Sequence, residues 1–158
     1  MRSTIDLEKG TIRIEIEIEA SPEAVFDALT DPKELETWWG SPETYRTQNW
    51  KNELRIGGER SCICIWTDGQ ETDVRGEYRV VECPNCVEFT WEPKRDNYAR
   101  TLVRIEIRKI TKGSLLVLQH SGFGSDSSAC QRHGEDWKRV FGWLAAYVTK
   151  KSAPAGTR

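Results

Sequence analysis

The hydrophobic rhythm of the chain changes several times, and each change marks an element. From Thr11 the alternation is strict, with Ile12, Ile14, Ile16 and Ile18 on one side and Arg13, Glu15, Glu17 and Glu19 on the other. This predicts a half-buried strand. Ser21-Pro22-Glu23 then reads as a helix start, serine capping and proline in the first turn, leading into Ala24, Val25, Phe26, Ala28 and Leu29. A second start follows at Asp31-Pro32-Lys33-Glu34, where Asp31 and Glu34 have capping-box spacing, and it carries Leu35, Trp38 and Trp39 up to Gly40-Ser41-Pro42. From Tyr45 the period returns to two. Strands are expected near Thr44–Gln48, Ser61–Trp66, Thr72–Val81, Val87–Trp91, Arg100–Lys109 and Ser114–His120, with Gly57-Gly58, Asp68-Gly69, Pro84-Asn85 and Lys112-Gly113 among the turns. The last rhythm is helical. Over Ser128 to Lys150, the residues Cys130, His133, Trp137, Val140, Phe141, Leu144 and Val148 share one face, and Gln131, Arg132, Glu135, Lys138 and Arg139 fall away from it. Ser128 with Gln131 has capping-box spacing at its start.

Short connections between consecutive strands imply antiparallel neighbours, so the plan is α+β: a strand, two short helices, a run of strands, one long helix. A sheet of six to seven strands is expected, forming one domain over residues 11–150, with 1–10 loose and 151–158 a disordered tail. Twist curves such a sheet, and one helix across its hollow leaves space for a pocket. The sheet residues facing the helix would come from Tyr78 and Val80, Phe89 and Trp91, and Val103, Ile105 and Ile107. Both faces of the Ser61 strand are apolar, so either Ile63 and Ile65 or Cys62, Cys64 and Trp66 point inward.

Composition narrows the function. The formal charge is −2, with 23 Lys and Arg against 25 Asp and Glu, which gives no electrostatic reason to bind nucleic acid or a membrane. No leader-like segment or membrane-length apolar run occurs, so a soluble, cytoplasmic protein is expected. Five cysteines cannot form a complete disulfide framework and are expected as thiols. Seven tryptophans exceed what a small core needs, and surplus rings suit the wall of a cavity.

Several stretches together resemble a known family: Ser21 to Phe26, Asp31 to Leu35 with Trp38-Trp39, Gly57-Gly58 before a strand, Val87 to Trp91, His120-Ser121-Gly122-Phe123, and His133 to Trp137 leading into a helix. In this order they resemble the SRPBCC, or START-like helix-grip, superfamily, and within it the branch named after the activator of the heat-shock ninety-kilodalton chaperone ATPase. The resemblance implies a sheet gripping the last helix around a cavity for an apolar or amphipathic molecule. It constrains function less, because the superfamily holds carriers, polyketide cyclases and proteins without assigned activity. One departure is visible: where related sequences place a large apolar residue soon after the Gly-Gly, this chain has Arg60-Ser61, then Cys62 and Cys64.

The candidate ligand-binding residues are Trp38, Trp39, Trp50, Trp66, Tyr78, Phe89, Trp91, His120, Phe123, His133, Trp137 and Phe141. His120 and His133 are the only histidines and the candidate bases, with Tyr78 as a candidate donor; the plainer reading has each imidazole bonded to a backbone carbonyl or water. On the helical wheel Asp136 points to the flank, away from a dyad with His133. Cys83-Pro84-Asn85-Cys86 spans a turn between strands, so it lacks the helix N-terminus of a redox motif, and zinc would need Cys62 and Cys64 as a second pair. No metal and no cofactor are expected. The expected partner is a small hydrophobic or aromatic molecule, the chain acting as monomer or homodimer. The alternatives are a cyclase or dehydratase using a cavity histidine, and a chaperone-activator-like interaction module.

Overall fold

The computed structural model describes residues 1–153. Eight strands form one antiparallel sheet, β1 Arg2–Asp6, β2 Thr11–Ile18, β3 Tyr45–Asn52, β4 Glu59–Trp66, β5 Glu71–Glu82, β6 Cys86–Pro93, β7 Thr101–Ile110 and β8 Gly113–Ser121, in the order β1-β2-β8-β7-β6-β5-β4-β3. Helices α1 Pro22–Thr30 and α2 Pro32–Trp38 follow β2, and α3 Ser127–Ser152 closes the chain. The sheet curves around α3, whose buried side is Ala129, Cys130, Gly134, Trp137, Val140, Phe141, Leu144 and Val148.

Local chemistry sets the element ends. Ser21 Oγ accepts from the Ala24 N–H at 3.1 Å and Asp31 Oδ1 from the Lys33 N–H at 2.9 Å, so each short helix has its cap and its proline. Glu34 does not close the capping box; its carboxylate accepts from Tyr147 and Lys151 of α3 and ties the two helices together. The cap of α3 is Asp126, whose Oδ1 accepts from the Ala129 N–H at 3.0 Å, so the expected Ser128–Gln131 box is replaced two residues earlier.

Two expectations are corrected and one open alternative is settled. The first ten residues are not loose: Arg2 to Asp6 pair with Glu15 to Thr11 as an edge strand. Pairing through the backbone needs no side-chain pattern, and only Ile5 of this segment reaches inward, against Gly134 of α3. At β5 the inward alternation breaks between Tyr78 and Val80, where a bulge shifts the register, so Val81 rather than Val80 packs on the core. On the cysteine strand the inward set is Cys62, Cys64 and Trp66, preceded by Arg60. The helix keeps Lys151 and Ser152 from the expected tail, and residues 154–158 lie outside the described residues.

The bulged hairpin yields a test. A methyl group on Gly76 would collide with the Thr90 backbone carbonyl across β5 and β6. Gly76→Ala is therefore expected to cost about 3 kcal/mol in urea unfolding without a change in m value, because strand backbone must move to admit it.

Candidate functional site

The hollow between sheet and α3 is mostly filled with rings. Trp39, at the end of α2, stacks on Trp91 of β6 at 5.9 Å and 14°, and also meets Trp38 at 5.3 Å, Trp50 at 5.2 Å and Trp137 at 5.6 Å. Four of these five indoles donate to an acceptor: Trp38 to the Ala28 carbonyl, Trp39 to Tyr45 Oη, Trp50 to Thr47 Oγ1 and Trp137 to His120 Nδ1. Trp91 Nε1 is buried and has no partner among the described residues.

His120 is fully buried in this layer. Because the Trp137 indole N–H can only donate, Nδ1 of His120 must be its acceptor, at 2.9 Å, and Nε2 carries the proton. Nε2–H then donates to Thr101 Oγ1 at 2.7 Å, and the Thr101 hydroxyl donates to the Trp91 carbonyl at 2.8 Å. Burial, then the charge of His133 nearby, hold the His120 pKa well below its ordinary value. This histidine is a neutral structural link. Tyr78 is closed off in the same way: its hydroxyl donates to Asn52 Oδ1 at 2.6 Å and accepts from Arg60 Nη1 at 2.9 Å.

Space remains on one flank of α3. A cavity of about 310 Å³ is floored by Trp39, Tyr45, Cys62, Val74 and Trp91, all buried, with Cys64, Trp66, Thr72 and Pro93 on its wall. Its rim is charged, with Arg95 from the β6–β7 connection and Arg132, His133, Glu135, Asp136 and Arg139 from α3. Of the twelve residues expected to line the site, Trp39, Trp66, Trp91 and His133 do so. Trp38, Trp50, Tyr78, Phe89, His120, Phe123, Trp137 and Phe141 are instead core and packing residues, because the inner face of α3 is used up in docking the helix. Phe123 fills the space beside both imidazoles, 4.6 Å from His120 and 5.3 Å from His133.

Two polar pairs reach the cavity, neither read from the sequence. His133 Nε2 lies 2.8 Å from Oδ2 of Asp96, in the single helical turn Lys94–Asp96, and Oδ1 of the same carboxylate accepts from Arg132 at 2.8 and 3.1 Å. The hydrogen bond with His133 leads the lowering of the Asp96 pKa. Three residues on along α3, Asp136 accepts from Tyr45 Oη at 2.9 Å, and Tyr45 Oη in turn accepts from the Trp39 indole at 3.2 Å. Burial leads the raising of both pKa values, that of the Asp136 carboxyl and that of the Tyr45 phenol. A sequence signal existed for this flank: Arg132, Asp136 and Arg139 repeat at helical spacing beside His133. For Asp96 there was none, since it lies 37 residues away in a connection.

The two cysteine pairs do not meet. Cys62 and Cys64 pair with Val74 and Thr72 near the start of β5, whereas Cys83 and Cys86 flank the turn after its last residue, Glu82. Eight to ten strand residues separate them, on the order of 25–30 Å. The hydrogen bond with the neighbouring Cys64 thiol, then burial, pushes the Cys62 thiol well up, so it is a poor nucleophile. Among the described residues no group of three or more His, Cys, Asp or Glu is placed to hold a metal ion, and no helix is long and apolar enough to cross a membrane.

A curved antiparallel sheet wrapped on one long helix, with a ring-floored cavity between them, defines a helix-grip protein of the SRPBCC superfamily. More narrowly, residues 19–149 match the model of the Activator of Hsp90 ATPase homolog 1-like protein family, and the chain belongs to that family. Similar solved structures include the AHSA1 protein from Silicibacter pomeroyi, at 28% identity and TM-score 0.77 over 89% of this chain and 99% of that one. An AHSA1-like protein from Aeromonas hydrophila is 22% identical with TM-score 0.76, over 94% and 98% of the chains. A Mycobacterium smegmatis protein reaches TM-score 0.80 at 16% identity over 100% and 99%. At such identities the last two show the fold alone. No curated protein matches the sequence.

The neutral His120 has a signature in stability. Its folded pKa is depressed, so below its ordinary value of 6.5 the unfolded chain takes up a proton that the folded chain refuses, and stability falls as pH falls through that window. Between roughly pH 7.5 and roughly pH 5.5 the wild type is expected to lose about 1.4 kcal/mol more than His120→Gln in urea unfolding. Parallel curves would contradict the buried neutral imidazole.

Proposed function

We propose that this protein binds a small apolar or aromatic molecule in the cavity beside α3. The observation that carries the reading is the lining itself: four aromatic rings, Trp39, Tyr45, Trp66 and Trp91, with Cys62 and Val74, beneath a charged rim. The volume, about 310 Å³, falls at the lower end of the roughly 300–1,000 Å³ of small-molecule sites, which favours a ligand of one or two fused rings. Apolar wall supplies affinity and the few polar groups supply orientation. The free cysteines suit a reducing compartment, and we place the protein in the cytoplasm on that ground.

A second reading, an enzyme of the cyclase or dehydratase kind, is favoured by one specific feature. His133, held by Asp96, and the Tyr45–Asp136 pair line the same cavity, giving a candidate base held by a carboxylate beside a phenol–carboxyl pair. Its histidine is His133, and the Tyr45–Asp136 pair stands in for Tyr78, since His120 and Tyr78 are engaged in closed networks away from the cavity. A cavity ligand recovered chemically unchanged after prolonged incubation counts against this reading. An interaction module is less favoured. The exposed large apolar side chains are Met1 and Leu7 beside β1 and Leu54 and Ile56 after β3, at opposite edges of the sheet rather than in one patch.

Filling the cavity tests the main reading. Cys64→Phe is expected to weaken binding of naphthylmethanol, followed by tryptophan fluorescence, by about tenfold or more while the melting temperature moves by only a few degrees. Unchanged affinity would place the ligand elsewhere.

A further inference from the structure

Resting on the binding reading above, we infer that the cavity is built for an aromatic carboxylate, with Arg95 at the rim receiving the anion. One unmet group at the mouth, above a wall of rings, carries this. At the mouth, almost every charge is already spoken for. Arg132 is held by Asp96 at 2.8 Å, Arg139 lies 3.4 Å from Asp136, and Glu135 accepts from Lys138 at 3.1 Å and Gln131 at 3.0 Å. Arg95 differs. Its side chain makes no ion pair and no hydrogen bond among the described residues, although it borders the cavity. The guanidinium instead rests over the Trp66 ring, 5.3 Å from its centre.

That position is held by the backbone. The Arg95 N–H donates to Thr72 Oγ1 at 3.2 Å, Asp96 anchors the next residue to α3, and the Tyr98 hydroxyl donates to Asp73 at 2.9 Å. The connection bearing Arg95 is thus clamped at three successive points to β5 and α3, so the charge is presented at a fixed place. The two carboxylates whose charge Arg95 favours, Asp96 and Asp136, are already engaged with His133, Arg132 and Tyr45.

In the wall, Trp91 is only 9% exposed and its indole N–H has no acceptor. The ring lines the cavity while the N–H itself is enclosed, so the ring face is what Trp91 offers a ligand. A hydrocarbon ligand would leave Arg95 unmet. An aromatic ring lying among Trp39, Trp66 and Trp91 meets the wall, and a planar carboxylate meets the fork of a guanidinium better than it meets any other group at this rim.

The test compares naphthoate with naphthylmethanol, equal in ring system and different in charge, by calorimetry on the intact protein and on Arg95→Met. Methionine keeps an apolar stem over Trp66, and the position is exposed, so the fold is not at stake. Naphthoate is expected to bind the wild type at least about tenfold more tightly, and Arg95→Met to erase that preference while leaving naphthylmethanol within about threefold. Equal affinities in the wild type, or a preference that survives Arg95→Met, overturn the role of Arg95 and leave the cavity reading standing. Binding of neither compound overturns both.

Discussion

A buried indole N–H must find an acceptor, and most of this interior is arranged around that requirement. Five tryptophans from α2, β3, β6 and α3 gather where the helices meet the sheet, and each acceptor found for them is a structural tie. Trp38 bonds α2 to the Ala28 carbonyl of α1, Trp137 bonds α3 to β8 through His120, and Trp39 bonds α2 to β3 through Tyr45. Consequently the imidazole of His120 is fixed as a neutral acceptor and donor, bridging Trp137 to Thr101, and chemistry that needs it charged or mobile is closed to it. The same logic continues through Tyr45, which passes the Trp39 bond on to Asp136 and thereby brings a carboxyl to the cavity wall.

The second constraint is a buried cation. Arg60 is 3% exposed and has no carboxylate partner among the described residues; Leu29 carbonyl, Asn52 Oδ1 and Tyr78 Oη receive its Nη1, and its guanidinium stands 4.4 Å from the Phe89 ring centre and 5.3 Å from that of Trp50. Burying such a charge is costly unless oxygens and ring faces replace water; this pocket supplies both, the oxygens all at Nη1, while Nε is left without a partner among the described residues. Asn52 contributes further by donating to the Thr30 carbonyl, so the end of α1 is sewn to β3 and β4. Tyr78 could not be both part of this lattice and a free donor in the cavity.

How much of this was legible depended on range. Elements with their own periodicity, β2, the two capped helices and α3, could be read from neighbouring residues, and so could the α+β plan and the family. Strand β1 could not, because an edge strand with one inward side chain leaves no alternation to see. The turn of phase at Val80 was hidden for a related reason: a bulge is a property of two paired strands, and only one of them is visible in a window of sequence. At the site, the wheel gave the buried face of α3 correctly but not its consequence. Trp137 and Phe141 are too large to dock a helix and also border empty space, so the space opens on the neighbouring flank, at Asp136 and Arg139. The polar partners there come from distant connections, and pairing across 37 residues leaves no mark in either segment.

That displacement bears on why the cavity persists at all. Engineered voids of roughly 150 Å³ in apolar cores stay dry and cost stability in proportion to their volume. This one is about 310 Å³ and opens through a rim of charged side chains, so water can enter it and the penalty of an enclosed void does not apply. What remains is poorly hydrogen-bonded water against indole and thiol surface, which an apolar molecule displaces favourably. Stability is supplied elsewhere, by the dry packing of Val140, Leu144 and Val148 at the other end of α3. The carboxy-terminal half of the helix can therefore hold the fold while the amino-terminal half keeps one flank unfilled. Cavity and core are thus borne by different turns of the same helix, which is why the charged flank residues Arg132, Asp136 and Arg139 can be spent on a rim rather than on solvent alone.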